Sequence, residues 1–219
     1  MQSFDSPSLK PWFQTVEDVG SSLAWHEFFG NDQPVELDIG CGRGLFLFNA
    51  AVTTPQTNFL GLEIDYGEGR RTATRLLKQT LPNARVLGGD CRRVLTEMIA
   101  AESVSAVHVY FPDPWWKTRH HKRRLFNDEF PSMLARILKP DGLMHHWTDV
   151  ADYFFMAEGL MDSHPEFTRC DSPTEREATN DMDYHTSFER KKRKLGLPIY
   201  RGLWQRCERM SDKDTSPKE

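Results

Sequence analysis

The sequence contains few cysteines and no long apolar segment. Its four cysteines, Cys41, Cys91, Cys170 and Cys207, stand far apart, and no C-x-x-C pair occurs among the 219 residues. This spacing supports neither a disulfide framework nor a zinc site, and it is typical of a reducing compartment. No apolar run approaches the roughly 20 residues that span a bilayer, and the first ten residues lack the features of a signal peptide. We therefore expect a cytoplasmic protein with no metal site and no membrane partner.

Net charge is also small, but the positive charge is unevenly distributed. The formal net charge is −4, whereas residues 117–124 read KTRHHKRR and residues 190–194 read RKKRK. Each segment contains five Lys or Arg and no acidic residue. Clustered positive charge allows a protein that is acidic as a whole to bind a polyanion. The charge pattern therefore keeps nucleic acid among the candidate partners.

Short apolar segments alternate with helical patterns from Pro34 to Phe167. The expected strands are 35–39, 58–64, 84–89, 105–111 and 142–148, with a last antiparallel strand within 199–209. The expected helices cover about 44–53, 66–80, 91–101, 127–138 and 150–163. This alternation predicts an α/β fold with a doubly wound, mostly parallel sheet. Residues 138–142 are expected to be a helix stop and a turn, and 171–183 an exposed loop.

We divide the chain into an N-terminal arm (1–30), one main domain (31–210) and a disordered tail (211–219). The arm is expected to contain a helix that packs on the main domain, because aromatic residues recur among its polar ones. These aromatic residues are Trp12, Phe13, Trp25, Phe28 and Phe29. The sequence leaves a monomer and a homodimer equally open.

A glycine-rich turn, Asp38-Ile-Gly-Cys-Gly-Arg-Gly44, follows the first strand of the alternating pattern. Gly40, Gly42 and Gly44 allow the backbone to turn tightly and to approach a ligand closely. A dinucleotide fingerprint would need glycine at position 45, which is Leu45, and no P-loop pattern occurs. The turn therefore favours a nucleoside over a pyrophosphate, although close packing alone is the alternative explanation.

Two further acidic residues stand where the next two strands end, Glu63 in the last residues of the second strand and Asp90 directly after the third. Ligands of doubly wound sheets lie beyond the carboxyl ends of the strands. Glu63 is therefore placed to accept hydrogen bonds from ribose hydroxyls, and Asp90 from an adenine amine. Either acid alone could be a solvated loop residue, but the two together with the glycine turn predict a nucleoside site.

The fourth strand ends in the most distinctive segment, Phe111-Pro-Asp-Pro-Trp-Trp-Lys117. The two prolines fix their own φ angles and predict extended conformations for Phe111 and Asp113. A rigid loop of this kind suits a positioned carboxylate, and Trp115 and Trp116 offer flat faces on which a base can stack. The structural alternatives are core tryptophans and, for the basic run that follows, a solvated charged face.

The acidic series and the glycine turn resemble those of class I S-adenosylmethionine-dependent methyltransferases. The resemblance implies a Rossmann-like, seven-stranded sheet and S-adenosylmethionine as cofactor. It implies that Asp38 helps to hold the amino-acid end of the cofactor, that Glu63 binds ribose and that Asp90 contacts adenine. Gly40, Gly42, Gly44 and Asp113 complete the expected cofactor site.

The segment 111–124, with Thr148-Asp149 and residues 186–189, resembles the bacterial tRNA (guanine-N7-)-methyltransferases over about residues 34–209. The target implied is a guanine in the tRNA variable loop, position 46. Asp38 stands where that family often has glutamate. The expected substrate contacts combine this resemblance with the basic run. They are Lys117, Arg119, Lys122, Arg123, Arg124, Asp149, Thr186, Ser187, Phe188 and Glu189.

Guanine N7 carries an in-plane lone pair, so it can attack a methyl group without first losing a proton. Catalysis then needs alignment and stabilisation of the developing positive charge rather than a general base. Asp113 is the expected catalytic carboxylate, with Asp149 and Glu189 as alternatives. Two other functions stay open: a class I methyltransferase acting on an exocyclic amine, and a non-catalytic RNA-binding protein on the same fold.

Overall fold

The structure is a computed structural model that describes residues 8–175 and 177–208. One sheet of eight strands runs through it, in the order β1-β4-β3-β2-β5-β6-β8-β7. The strands are β1 (Phe13–Thr15), β2 (Val35–Ile39), β3 (Asn58–Glu63), β4 (Ala84–Gly88), β5 (Val104–Tyr110), β6 (Leu138–Thr148), β7 (Phe167–Cys170) and β8 (Tyr200–Arg206). All neighbours are parallel except β8, which is antiparallel to both β6 and β7.

Helices connect the strands and cover both faces of the sheet. They are α1 (Val16–Val19), α2 (Trp25–Phe29), α3 (Leu45–Thr53), α4 (Tyr66–Lys78), α5 (Cys91–Arg93), α6 (Phe130–Ile137), α7 (Ala151–Asp162) and α8 (Ser187–Lys194). A π-helical turn, Val94–Met98, continues α5, and a 3-10 helix covers Thr118–Arg123. None of the described helices combines the length and apolar character needed to cross a membrane. The predicted α/β, mostly parallel architecture is confirmed.

The sheet has eight strands rather than the seven that the resemblance implies, and two of them, β7 and the edge strand β1 of the N-terminal arm, are not among the strands expected from the sequence. Phe13 of β1 is buried, and its ring packs where a side chain at Gly88 would otherwise lie. Thr15 then caps α1 through a reciprocal hydrogen-bond pair with Asp18. A three-residue strand carries too short an alternation to be recognised in a sequence. The tail at 211–219 lies outside the described residues.

Strand β6 begins earlier than predicted. Helix α6 ends at Ile137, and β6 starts directly at Leu138, so residues 138–142 belong to the strand. Asp141 adopts a positive φ of +64° there, and the pairing register with β5 shifts between Val104 and Ala106. The expected turn is thus an irregularity within a strand.

Helix α8 was not expected, since the RKKRK run was interpreted only as a charge cluster. The Thr186 side chain accepts a hydrogen bond from the backbone N–H of Glu189, and a Glu189 oxygen accepts one from the N–H of His185. This arrangement is close to a capping box, whose pattern T-x-x-E is present in the sequence. The T-x-x-E pattern, which precedes the RKKRK run, therefore indicates the start of this helix.

The central parallel strands are buried on both faces, as such strands usually are. Most of their side chains are apolar, but Asp38, Glu63 and His108 are buried as well. Burying a carboxyl group is costly unless hydrogen bonds or charges compensate it. Asp38 and Glu63 lie close to the carboxyl ends of β2 and β3, which marks this edge of the sheet as the place of the functional site.

Candidate active site

A cleft of about 560 Å³ opens at the carboxyl end of β2. Its volume falls within the roughly 300–1,000 Å³ of small-molecule sites. Its lining combines the glycine turn with the first residues of α8. The cleft is lined by Asp38, Gly40, Cys41, Gly42, Arg43, Gly44, Leu45, Phe46, Glu68, Tyr110, Phe111, Thr186, Ser187, Phe188, Arg190 and Lys191. A second cavity of about 660 Å³ lies beside α3 and contains none of the predicted site residues.

The three glycines of the turn adopt left-handed backbone conformations, with φ of +76°, +50° and +64° at Gly40, Gly42 and Gly44. These conformations are unfavourable for residues with a Cβ atom. A Cβ atom at Gly40 would point into open space, whereas one at Gly44 would lie 2.2 Å from the Thr72 side chain. The turn therefore leaves room for a ligand on one side and packs tightly against α4 on the other.

Glu63 ties this turn to the end of β3. One carboxylate oxygen accepts the N–H of Gly42 at 2.8 Å, and the other accepts the N–H of Asp65 at 2.8 Å. Asp65 in turn caps the start of α4. Each carboxylate oxygen has a further lone pair, and a contact of Glu63 with ribose hydroxyls stays a prediction.

Asp38 is only 4% exposed and lies in the wall of the cleft. Burial raises its pKa to about 8, and the nearby charge of Glu63 acts in the same direction. Among the described residues, no hydrogen bond reaches its carboxyl group. A buried carboxylate becomes favourable when a cation pairs with it. The site therefore fits a ligand that brings an ammonium group to Asp38, as the amino-acid end of S-adenosylmethionine does.

Three of the predicted cofactor residues, Glu63, Asp90 and Asp113, are not part of the cleft lining. Asp90 is exposed and caps α5, where its carboxylate accepts the N–H of Arg92 at 2.9 Å. Asp113 is exposed on the loop that follows β5. Their contacts with a cofactor or a substrate stay predictions.

The expectation of an extended Phe111 was wrong, because this residue has a φ of +51°. Its N–H donates to the carbonyl of Trp147 at 2.7 Å, which continues the pairing of β5 with β6 by one residue. The chain then turns, and the Phe111 ring stacks on that of Phe188 with centroids 6.1 Å apart. Trp115 also has a positive φ, of +43°.

The basic segment 117–124 contains the 3-10 helix, and its cations differ in exposure. Lys117, Arg119, Lys122 and Arg123 are exposed, whereas Arg124 is half-buried. The Arg124 guanidinium donates to the carbonyl of Pro114 at 2.8 Å and lies over the ring of Tyr153. Arg124 therefore also supports the loop that carries Asp113.

The two tryptophans of this loop differ in accessibility. The Arg123 guanidinium lies 5.0 Å from the ring centre of Trp115, which is half-buried. Trp116 is 68% exposed and keeps an open face. Trp116 is therefore the better platform for a stacked base.

The structure brings Thr186, Ser187 and Phe188 into the cleft lining but directs Glu189 into the protein. A buried Glu189 oxygen lies 3.4 Å from an Arg193 nitrogen and 3.6 Å from an Arg201 nitrogen. Asp149 pairs with Lys192 at 2.5 Å. These two predicted substrate residues hold α8 in place, so a direct contact with substrate stays a prediction for both.

Several cleft residues were missed from the sequence. Arg43 belongs to the glycine turn and Glu68 to α4, and the hydroxyl of Tyr110 lies 3.0 Å from the His108 ring. Tyr110 and Asp38 belong to adjacent strands, β5 and β2. The alternation of strand residues could have indicated Tyr110, whereas only the tertiary fold brings Lys191 to this cleft.

Solved structures of other proteins share this fold. The 16S rRNA methyltransferase KamB superimposes with a TM-score of 0.64 at 16% identity, covering 86% of this chain and 95% of that one. TrmN from Thermus thermophilus gives a TM-score of 0.56 at 15% identity, covering 80% and 45%. At such identities the likeness extends to the fold alone, which is the Rossmann-like fold of class I methyltransferases.

Sequence comparison identifies the family. Residues 32–202 match a family described as "Putative methyltransferase". A tRNA (guanine-N(7)-)-methyltransferase of Rhodopirellula baltica is 39% identical over 204 residues, covering 90% of this chain and 75% of the relative. One of Nocardia farcinica is 35% identical over 206 residues, covering 90% and 77%. The chain belongs to the tRNA (guanine-N(7)-)-methyltransferase family, and S-adenosylmethionine is its methyl donor.

The raised pKa of Asp38 predicts that cofactor binding depends on pH. With a pKa of about 8, this carboxyl group holds a proton in the free protein at neutral pH. Pairing with an ammonium group needs the ionised form, so binding releases that proton. Affinity for S-adenosylhomocysteine should rise between about pH 6 and pH 8, by up to roughly tenfold per pH unit, and level off above the pKa.

Calorimetry in two buffers of different ionisation enthalpy measures the released proton directly. S-adenosylhomocysteine is the appropriate ligand, because its ammonium group has no neighbouring sulfonium charge and stays protonated over this range. The control variant Asp38→Asn should bind more weakly and without pH dependence. An affinity of the unaltered protein that is constant across the range would contradict the prediction.

Proposed function

We propose that the protein transfers a methyl group from S-adenosylmethionine to N7 of a guanine in tRNA. The observation that carries the proposal is the position of the Phe111–Lys117 loop. This loop leaves β5, the strand next to β2, beside the cleft that contains Asp38 and the glycine turn. An exposed tryptophan and exposed cations thus adjoin the methyl-donor site. The names of the relatives from Rhodopirellula baltica and Nocardia farcinica support the same reaction.

Methyl transfer to guanine N7 does not require a proton to be removed from the base first. S-adenosylmethionine supplies a methyl group on a sulfonium; guanine N7 attacks it with its lone pair, the carbon–sulfur bond breaks, and the electron pair stays on sulfur. Because N7 carries no proton, the protein needs no general base. Its residues must align the base and stabilise the positive charge that develops on it.

Asp113 is the carboxylate that we assign to this task. It would accept hydrogen bonds from N1–H and the N2 amino group of guanine, which both orients the base and offsets its charge. Asp149 and Glu189, the alternatives, are already paired with Lys192 and with Arg193 and Arg201. The exposed position of Asp113 supports this choice, and it favours an unstacked base such as one in the variable loop.

We also propose that the protein works in the cytoplasm, where tRNA is available. Cys41, Cys91, Cys170 and Cys207 are all free thiols, as expected in a reducing compartment. Two further points complete the proposal. Asp90 contacts the adenine of the cofactor, and the methylated base is guanine 46 of the tRNA. Both rest on the family resemblance of the sequence.

The reaction is tested by incubating the protein with unmodified tRNA and labelled S-adenosylmethionine, followed by nucleoside analysis. We expect 7-methylguanosine as the labelled product, and no label in a tRNA whose guanine 46 is replaced. A methyl group on an exocyclic amine would favour the alternative methyltransferase. Cofactor binding without any labelled tRNA would favour an RNA-binding protein.

The role of Asp113 predicts a defect in turnover rather than in cofactor binding. The variant Asp113→Ala should lower the single-turnover rate on tRNA by about 10²–10³-fold, as loss of a group that stabilises developing charge usually does. Its cofactor affinity should fall less than that of Glu63→Ala, which loses about 1.5–3 kcal/mol of hydrogen bonds to a charged group. A near-normal rate for Asp113→Ala would eliminate the proposed role.

The basic segment predicts a salt dependence of tRNA binding. Each phosphate contact contributes roughly 0.7–0.9 to the slope of log K against log salt. Replacing Lys122, Arg123 and Arg124 together by alanine should reduce the slope by about two to three units. Replacing only Lys122 and Arg123, which spares the Arg124 contact with Pro114, should reduce it by about 1.4–1.8.

The measurement is tRNA affinity at several salt concentrations. The losses should be similar for tRNAs with and without the target guanine, because phosphate contacts do not read bases. The exposed Lys78 and Lys139 provide a matched control, and their replacement by alanine should leave the slope unchanged. Identical slopes for all variants would assign the basic segment to the solvated surface.

A further inference from the structure

The lining of the cleft contains cationic side chains in addition to Asp38. The amino-acid end of S-adenosylmethionine is a zwitterion, with an ammonium and a carboxylate on the same carbon atom. Asp38, buried and without a hydrogen-bond partner among the described residues, suits the ammonium. The carboxylate then needs a cation or N–H donor on another wall of the same cleft. Arg43, Arg190 and Lys191 are the cationic residues of the lining.

Most cations near the cleft already have carboxylate partners. Arg43 lies 3.5 Å from Glu68 across the mouth of the cleft. Along α8, the nitrogen–oxygen distances are 3.1 Å for Arg190–Asp181, 2.5 Å for Lys192–Asp149, 2.9 Å for Arg193–Glu175 and 2.8 Å for Lys194–Asp181. Lys191 is exposed and has no carboxylate partner within residues 8–175 and 177–208. It is therefore the lining cation whose charge a ligand can use.

The first turns of α8 direct Lys191 toward the cleft. Residues three or four apart share one face of a helix, so Ser187 and Phe188 lie on the same face as Lys191. All three line the cleft. The neighbouring Lys192 is bound to Asp149, which fixes the rotation of the helix. The helix backbone thus places Lys191 at the cleft, and its exposed side chain is free to extend toward a ligand.

We propose that Lys191 binds the carboxylate at the amino-acid end of the cofactor, opposite Asp38. The two residues form a charge pair of opposite sign across the cleft and match the zwitterion in both its groups. Helix α8, whose first residues are expected to contact tRNA, is then also a wall of the cofactor site. Cofactor binding and the substrate-binding residues Thr186, Ser187 and Phe188 thereby share one element.

Binding of two related ligands tests this inference without tRNA. S-adenosylhomocysteine has the amino-acid end, whereas 5′-methylthioadenosine has the same nucleoside without it. The variant Lys191→Met should bind S-adenosylhomocysteine about 10- to 100-fold more weakly, the range for hydrogen bonds between charged groups. It should bind 5′-methylthioadenosine as the unaltered protein does. Lys191→Arg should recover most of the affinity.

The matched control is Lys194→Met on the same helix, which should change neither affinity. An equal loss for both ligands would overturn the proposal, since it would mean a general distortion of the cleft. Unchanged affinity for S-adenosylhomocysteine would also overturn it, and a reduced salt slope of tRNA binding, measured separately, would then assign Lys191 to the RNA. The inference rests on the cofactor and not on the methylated base, so its failure leaves the proposed reaction at guanine N7 intact.

Discussion

The carboxylate of Glu63 joins three elements at the carboxyl edge of the sheet, and the geometry of the cleft depends on it. It accepts the N–H groups of Gly42 and Asp65, which fixes the glycine turn after β2 against the start of α4. Its charge also raises the pKa of Asp38, which burial has already raised. One side chain thus shapes the ligand-facing turn and sets the electrostatics that favour a cationic ligand at Asp38.

The two halves of the active site are held by different forces. The cofactor half lies on parallel strands that are buried on both faces, so its backbone positions follow from the sheet. The proposed substrate half consists of the loop after β5 and of α8, which are fixed by ion pairs and caps. Lys192–Asp149 and the buried Glu189 with Arg193 and Arg201 anchor α8, and Arg124 anchors the loop through Pro114.

The parts of this protein that could be predicted from sequence are those determined by local pattern. The strands β2 to β6, the glycine turn and the acids Asp38 and Glu63 follow from alternation and from positions after strands. The edge strand β1, the left-handed conformation of Phe111 and the inward direction of Glu189 could not be predicted from local pattern. They depend on partners distant in sequence, such as Gly88, Trp147 and Arg201.

The two basic runs look alike in the sequence, but their surroundings make them different. Four of the five cations of α8 face carboxylates of Asp149, Glu175 and Asp181, so little of that charge is available to a polyanion. In the 3-10 helix, by contrast, Lys122 and Arg123 are exposed and no ion pair joins them to a described acidic residue. Phosphate binding is therefore expected mainly on the side of the loop after β5, where Trp116 also lies. The RNA would then approach the cleft from the loop that carries Asp113, while α8 would complete the cofactor site through Lys191.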